Sequence, residues 1–373
     1  MNNPLLWIQR SVAAVLGTCV LVVLASVRLL GAGEVDTDSA TRKAGAPGSG
    51  LQVEEAAPFS PSVFALYFEN DAVGGTDRHY TNGIKVAWMS GDLATWGESG
   101  WRRALLNLLP FAKGPGRMKN FGLAFGQSIF TPQDVERVPP DPLDRPYAGW
   151  SYLELAFASR TNHVMDTVAI QVGVIGPRSY AEDFQRIVHE WLDSRDPKGW
   201  DYQLRDEVGV NIAVERRWRA FARAFDGAVG IDVVPYGGFS LGNVSTYAKA
   251  GLTTRLGLSL PSDFGVDLIR PSAVTLAPLQ VEGERTRRGR PLGIFAFAGA
   301  EGRAVARDIF LDGNTFEESP SVDRESFVGD IFAGVGLVKG GFQLTYTEAF
   351  RTREFKTQNE ESRFGSLTMS WSF

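Results

Sequence analysis

Three histidines and one Asn-Asp run are the residues of this 373-residue chain whose types and spacing offer chemistry. His189 follows Gln185 by four residues, so on a helix the two share a face. An imidazole titrates near neutral pH and suits proton transfer. A lone helical histidine is more often structural, however, so spacing alone does not assign His189. His163, in Arg160-Thr-Asn-His163, reads as a polar turn residue. His79 precedes a strand in Thr76-Asp-Arg-His-Tyr-Thr-Asn-Gly83. Glu69-Asn70-Asp71, followed by Gly74-Gly75-Thr76-Asp77, places oxygen ligands on a glycine-containing loop, which suits calcium. The same residues also punctuate a strand end without any metal. Zinc has little support, because histidines are few and the one cysteine, Cys19, lies in the N-terminal apolar segment. No serine sits in a Gly-x-Ser-x-Gly nucleophile motif.

These residues need elements to position them. Ser179-Tyr-Ala-Glu182 has capping-box spacing, and Phe184, Val188, Trp191 and Leu192 then recur at helical spacing until Pro197 and Gly199. That predicts a short amphipathic helix in a loop between strands. Elsewhere the chain alternates with period two. Runs occur at 63–68, 84–88, 121–126, 152–159, 168–174, 210–218, 229–234, 251–260, 292–300, 327–337, 342–350 and 364–373. One face of each is large and apolar, while the other carries Gly, Ala, Ser, Gln, Lys or Glu. About twelve strands of this kind, most near the ~9–11 residues a tilted membrane strand requires, predict an all-β fold. The expectation is a transmembrane antiparallel β-barrel with the helix in a rim loop. Alternation alone leaves a soluble sandwich open. The last strand argues for the barrel: Leu367, Met369, Trp371 and Phe373 share one face, and Ser366, Thr368, Ser370 and Ser372 the other.

Arg10 followed by the apolar stretch Val12–Ala25 and small residues has the layout of a secretory signal. We read residues 1–32 as the signal peptide, with Ala25 and Ala32 as cleavage points, 33–61 as a flexible leader and 62–373 as the barrel. Leu16-Gly17-Thr18-Cys19 fits a lipobox poorly. No later apolar run is long enough for a membrane helix. The net charge of −5 and the lack of a basic patch with interleaved aromatics argue against nucleic acid as a partner. Arg285, Arg287, Arg288 and Arg290 read as a solvated loop or a contact to anionic headgroups.

Eight motifs in order carry a family resemblance. They are Tyr67-Phe-Glu-Asn-Asp71, Thr76–Gly83, Phe125-Gly-Gln-Ser-Ile-Phe-Thr-Pro132, Asp144-Arg-Pro-Tyr-Ala-Gly-Trp150, Val174-Ile-Gly-Pro177, Gln185 with His189, Gly199-Trp200 and Leu241-Gly-Asn-Val244. From about Phe64 to Phe373 the chain resembles the LpxR-like lipid A 3′-O-deacylases. The resemblance implies a calcium-dependent outer-membrane esterase acting on lipid A, the membrane anchor of lipopolysaccharide. It implies His189 as general base with Gln185 beside it, Asn70 and Thr81 as orienting or hydrogen-bonding groups, and Asp71 as a calcium ligand. On this reading His189 takes a proton from the attacking water, and the ester rises to headgroup depth while its acyl chains stay in hydrocarbon. A terminal phenylalanine also resembles the signal read by the barrel-assembly machinery, and a monomer is expected. The family's lysine before the Asp-Arg element is missing from Gln133–Asp141, where Arg137 offers a guanidinium for phosphate instead. Two alternatives stay open. His79-Tyr-Thr81-Asn-Gly83 resembles an element of outer-membrane phospholipase A, with threonine in the serine position, and a non-catalytic pore or structural barrel would share the same strands.

Overall fold

A strand with one apolar and one polar face can keep the polar face from lipid when its sheet curls shut. In the computed structural model, which describes residues 60–71, 79–93, 116–192, 197–225, 229–266, 268–270 and 292–373, the sheet does close. The side chains of 79–81 and 188–192 are outside the described residues, as are the expected signal peptide, residues 33–59 of the leader and the 285–290 arginine run.

The strands are β1 (Val63–Asn70), β2 (His79–Met89), β3 (Met118–Thr131), β4 (Ala148–Arg160), β5 (Val164–Ile175), β6 (Glu207–Trp218), β7 (Phe221–Phe225), β8 (Val229–Gly242), β9 (Ser245–Leu258), β10 (Gly293–Asp308), β11 (Phe327–Lys339), β12 (Phe342–Arg351) and β13 (Ser362–Ser372). Among the described residues two α-helices accompany them, α1 (Ala181–Leu192) and the single turn α2 (Ile309–Asp312). Neighbours in sequence pair antiparallel, and β1 meets β13 from Val63↔Ser372 to Asn70↔Gly365, which closes the ring. Both β6 and β7 pair with β8, and the register slips by one residue between Arg217↔Tyr236 and Phe221↔Val233. They are two halves of one interrupted strand, so the described wall is a closed barrel of twelve strands. Each expected run falls in its own strand.

The short-turn rim has turns at 161–163 and 340–341, both ends of the barrel chain, and the longer connections that follow β2 and β9. The opposite, long-loop rim carries 132–147, 176–206, 309–326 and 352–361, with a two-residue turn at 243–244. No helix among the described residues is long and apolar enough to cross a membrane. The exterior is apolar instead: Phe64, Leu123, Leu153, Val208, Ile331 and Trp371 are 46–67% exposed.

The interior is polar and full. Lys85 Nζ meets Glu154 at 2.7 Å, and Gln171 donates to the other Glu154 oxygen at 2.7 Å. Asp330 accepts from Arg351, Arg270 and Arg303 at 2.7, 3.0 and 3.2 Å. A segment the alternation gave no hint of also enters the lumen. After β9, Phe264 packs among Val63, Met89, Ala156, Ala158 and Met165, while Ile269 packs among Ala65, Tyr67, Ala87 and Ala124. Ile269 N–H donates to Glu69 at 2.6 Å, so a loop from the short-turn rim reaches nearly to the other end. The lumenal cavities left beside it measure about 30 and 100 Å³.

The predicted helix forms, but its predicted cap does not. Pro177–Ser179 is a 3-10 turn, Tyr180 takes a left-handed conformation (φ 55°), and α1 starts after it. Ser179 Oγ makes no hydrogen bond, whereas its carbonyl accepts two from the barrel wall. Anchoring to the wall takes the place of the capping box.

Candidate active site on the outer wall

At the long-loop rim the exterior of β1–β4 changes character. The outward row of β1 runs Phe64, Leu66, Phe68 and then Asn70, and that of β3 runs Phe121, Leu123, Phe125 and then Gln127. Polar residues facing lipid would be unfavourable, and here protein covers them. Asn70 is 5% exposed, Asp71 and Asn82 2%, and Gln127 7%. Strand register sets Asn70 beside Asn82, Asn82 beside Ile129 and Ile129 beside Gly149.

On β3 and β4 the cover is α1 and the turn before it. Gln127 Nε2 donates to Ser179 O at 2.8 Å and to Ser151 Oγ at 3.0 Å, and Ser151 Oγ donates to Ser179 O at 2.7 Å. Close approach requires glycine at position 149. A Cβ there would lie 2.1 Å from Ala181 Cβ and 2.3 Å from Ser179 Oγ. Ala181, Ile129, Tyr147 and Trp200 form the apolar seat, with Phe184 against it.

Gln185 is 1% exposed and accepts a hydrogen bond from Trp200 Nε1 at 2.9 Å. The Trp200 ring packs on Tyr147 at 5.0 Å, and Tyr147 O–H donates to Val135 O at 2.8 Å. This chain of contacts joins the 132–147 and 176–206 loops and fixes the rotation of α1. Its backbone places His189 one turn past Gln185, on the same helix face. The side chains of His189, Thr81 and His79 are outside the described residues. Thr81 itself sits at a register slip between Tyr80 and Asn82, where a bulge re-aims side chains.

Arg137 lies apart from this patch, in the β3–β4 loop on the same rim. It is half exposed and pairs with Asp141. The Leu143 N–H and the Arg137 guanidinium hold the Asp141 carboxyl below its ordinary range. In the same loop, burial pushes Asp144 up despite N–H donors from Gln133 and Arg145 at 2.6 and 2.7 Å. Glu354, in the β12–β13 loop, would be raised by burial, but Arg351 and Arg145 outweigh that and bring it to about 2. Its carboxylate ties those arginines together at 3.2 Å each.

For calcium, the donors at the patch are hard oxygens, those of Asp71 and Asn70, which fit that ion in kind. Among the described residues no group of three or more His, Cys, Asp or Glu forms a metal cluster.

Sequence reasoning singled out Asn70, Asp71 and Gln185, which are buried at this rim, and the helix, which forms. It did not single out as functional positions Gln127, Ser151, Gly149 or Trp200, which the structure places around them. The available signal was a polar or side-chain-free residue in an outward row that is otherwise apolar.

Solved structures of other proteins match the chain to different degrees. LpxR from Salmonella typhimurium matches with a TM-score of 0.64 at 20% identity, over 83% of this chain and all of that one. The β-domain of the Bordetella autotransporter Brka matches at a TM-score of 0.41 and 11% identity, over 84% of this chain and all of that one. No curated protein matches. The Salmonella likeness bears on fold alone at this identity. The family model described as outer membrane protein LpxR, in contrast, matches residues 40–373. With the whole twelve-strand barrel inside that match, the chain crosses the outer membrane as a multi-pass β-barrel and belongs to the LpxR family of outer membrane proteins.

Proposed function

We propose that this protein is a calcium-dependent outer-membrane esterase that removes the 3′-linked acyl chain or chains of lipid A. The observation that carries the reading is the buried polar patch on the barrel exterior at the loop-rich rim, roofed by the helix that bears His189. A lumenal site would exclude a lipid, whereas a site on the outer wall meets the ester of an outer-leaflet lipid at headgroup depth.

In this reading His189 is the general base that takes a proton from the attacking water. Gln185, held by Trp200, sets the rotation of the helix and so the place of His189. Asn70 and Thr81 orient the ester and donate hydrogen bonds to its oxygen as negative charge builds. Bound calcium, held in part by Asp71, would supply Lewis-acid polarisation of the carbonyl. Arg137, on the same rim, pairs with a lipid A phosphate. The last strand addresses the chain to the barrel-assembly machinery, and the chain acts as a monomer.

The pore reading has less support, because the lumen is occupied by ion pairs and by the segment around Phe264 and Ile269. The phospholipase reading has His79 on the same rim but no further element.

The test is mass spectrometry of lipid A from cells expressing the parent or His189→Ala, with and without calcium chelation. The expected outcome is loss of the 3′ acyl chain in the parent alone, abolished by chelation, with equal barrel assembly. Identical lipid A from parent and variant would overturn it.

A further inference from the structure

We propose that Asn82 is a further substrate-contacting residue of this site, its carboxamide binding the acyl-ester group of a hydroxyl-bearing lipid. The inference rests on the esterase reading above. Asn82 lies on the outward row of β2, above Ile84, Val86 and Trp88, and is 2% exposed. Among the described residues neither Nδ2 nor Oδ1 has a hydrogen-bond partner, although both atoms are buried. Asn70 stands on one side of it in register and Ile129 on the other.

A buried amide with donor and acceptor both unmet is unfavourable, and folded proteins rarely leave one without a reason. A bridging water needs two to four polar partners; Asn70 offers polar atoms on one side, but Ile129 supplies none on the other. A cation would satisfy Oδ1 but leave the Nδ2 donors unmet. An acyl ester beside a hydroxyl or amide N–H satisfies both atoms. Nδ2–H donates to the ester carbonyl oxygen, and Oδ1 accepts from the neighbouring hydroxyl or N–H. The register slip at Thr81 is next in the chain, so Asn82 lies directly beside the bulge.

The experiment uses the purified full barrel in detergent with calcium and lipopolysaccharide, comparing the parent, Asn82→Leu and Asn82→Ala. Both variants are expected to lower kcat by about 100-fold, the usual effect of removing one donor to a developing oxyanion. Michaelis constants should move far less. Asn82→Leu has similar volume and removes the unmet amide, so its urea midpoint should equal or exceed the parent's. An amide serving only structure would give the reverse, a lowered midpoint and a preserved kcat. An active parent with fully active variants overturns the inference alone. A parent without esterase activity overturns the esterase reading and this inference with it.

Discussion

Trp200 shows how a residue away from the reacting atoms can govern them. Its N–H is spent on Gln185, and its ring on Tyr147, so the face of α1 is set before any substrate arrives. Trp200→Phe keeps the ring and removes the donor, which costs about 1–3 kcal/mol at a buried acceptor. We expect faster hydrogen exchange across α1 and about a tenfold loss of deacylation, since roughly 1.4 kcal/mol of misplacement is one order in rate. Unchanged exchange would mean that the Trp200–Gln185 bond does not hold the helix. At this scale the sequence revealed residues that break a pattern, such as Asn70 and Asp71 at a strand end. It did not reveal Asn82, Gln127 or Ser151, because alternation assigns a face without saying what covers it. Their cover comes from a loop about 50 residues further on for Gln127, a separation no local window spans.

At the scale of elements, the strands were the most legible feature, because period two is imposed by the backbone itself. The interruption at Arg219-Ala220 was visible only as the end of one run, although β6 and β7 continue along the same partner. The capping box was a plausible local solution that lost to a tertiary one, two donors from the wall to Ser179 O. The segment around Phe264 and Ile269 has neither period, so nothing in it announced a place inside the barrel. Helix seating turns on Gly149. Gly149→Val places a branched side chain where Ala181 and Ser179 now sit. The expected result is a barrel that assembles and resists heat normally in gel-mobility assays while deacylation drops by about tenfold or more, as a small misplacement of a base implies. Full activity in that variant would show that α1 need not touch β4.

For the whole molecule, the plan inverts that of a soluble enzyme. The core is ionic, with Asp330 gathering three arginines and Glu154 facing Lys85, while the apolar surface faces outward. A rigid, filled cylinder gives α1 a fixed wall to rest on, and its lumen is left to structure. That apolar surface is also uneven in height. On β6, β8 and β11 it reaches the loop-rich rim, with Val208, Leu241 and Phe327 65%, 55% and 78% exposed at strand ends. On β1, β3 and β4 the exposed apolar rows stop at Phe68, Phe125 and Leu153, below the polar patch. Hydrocarbon cannot follow polar residues upward, so the outer leaflet must dip on one flank of the cylinder. Such a local hydrophobic mismatch presses headgroups inward beside the proposed esterase site. Reconstituting the protein in phosphatidylcholine bilayers of increasing acyl length should therefore slow deacylation stepwise at constant lipopolysaccharide content. Rates indifferent to thickness would mean that the substrate climbs to the site unaided. The barrel's shape, on this view, deforms the membrane into a substrate-presenting surface as well as anchoring the enzyme in it.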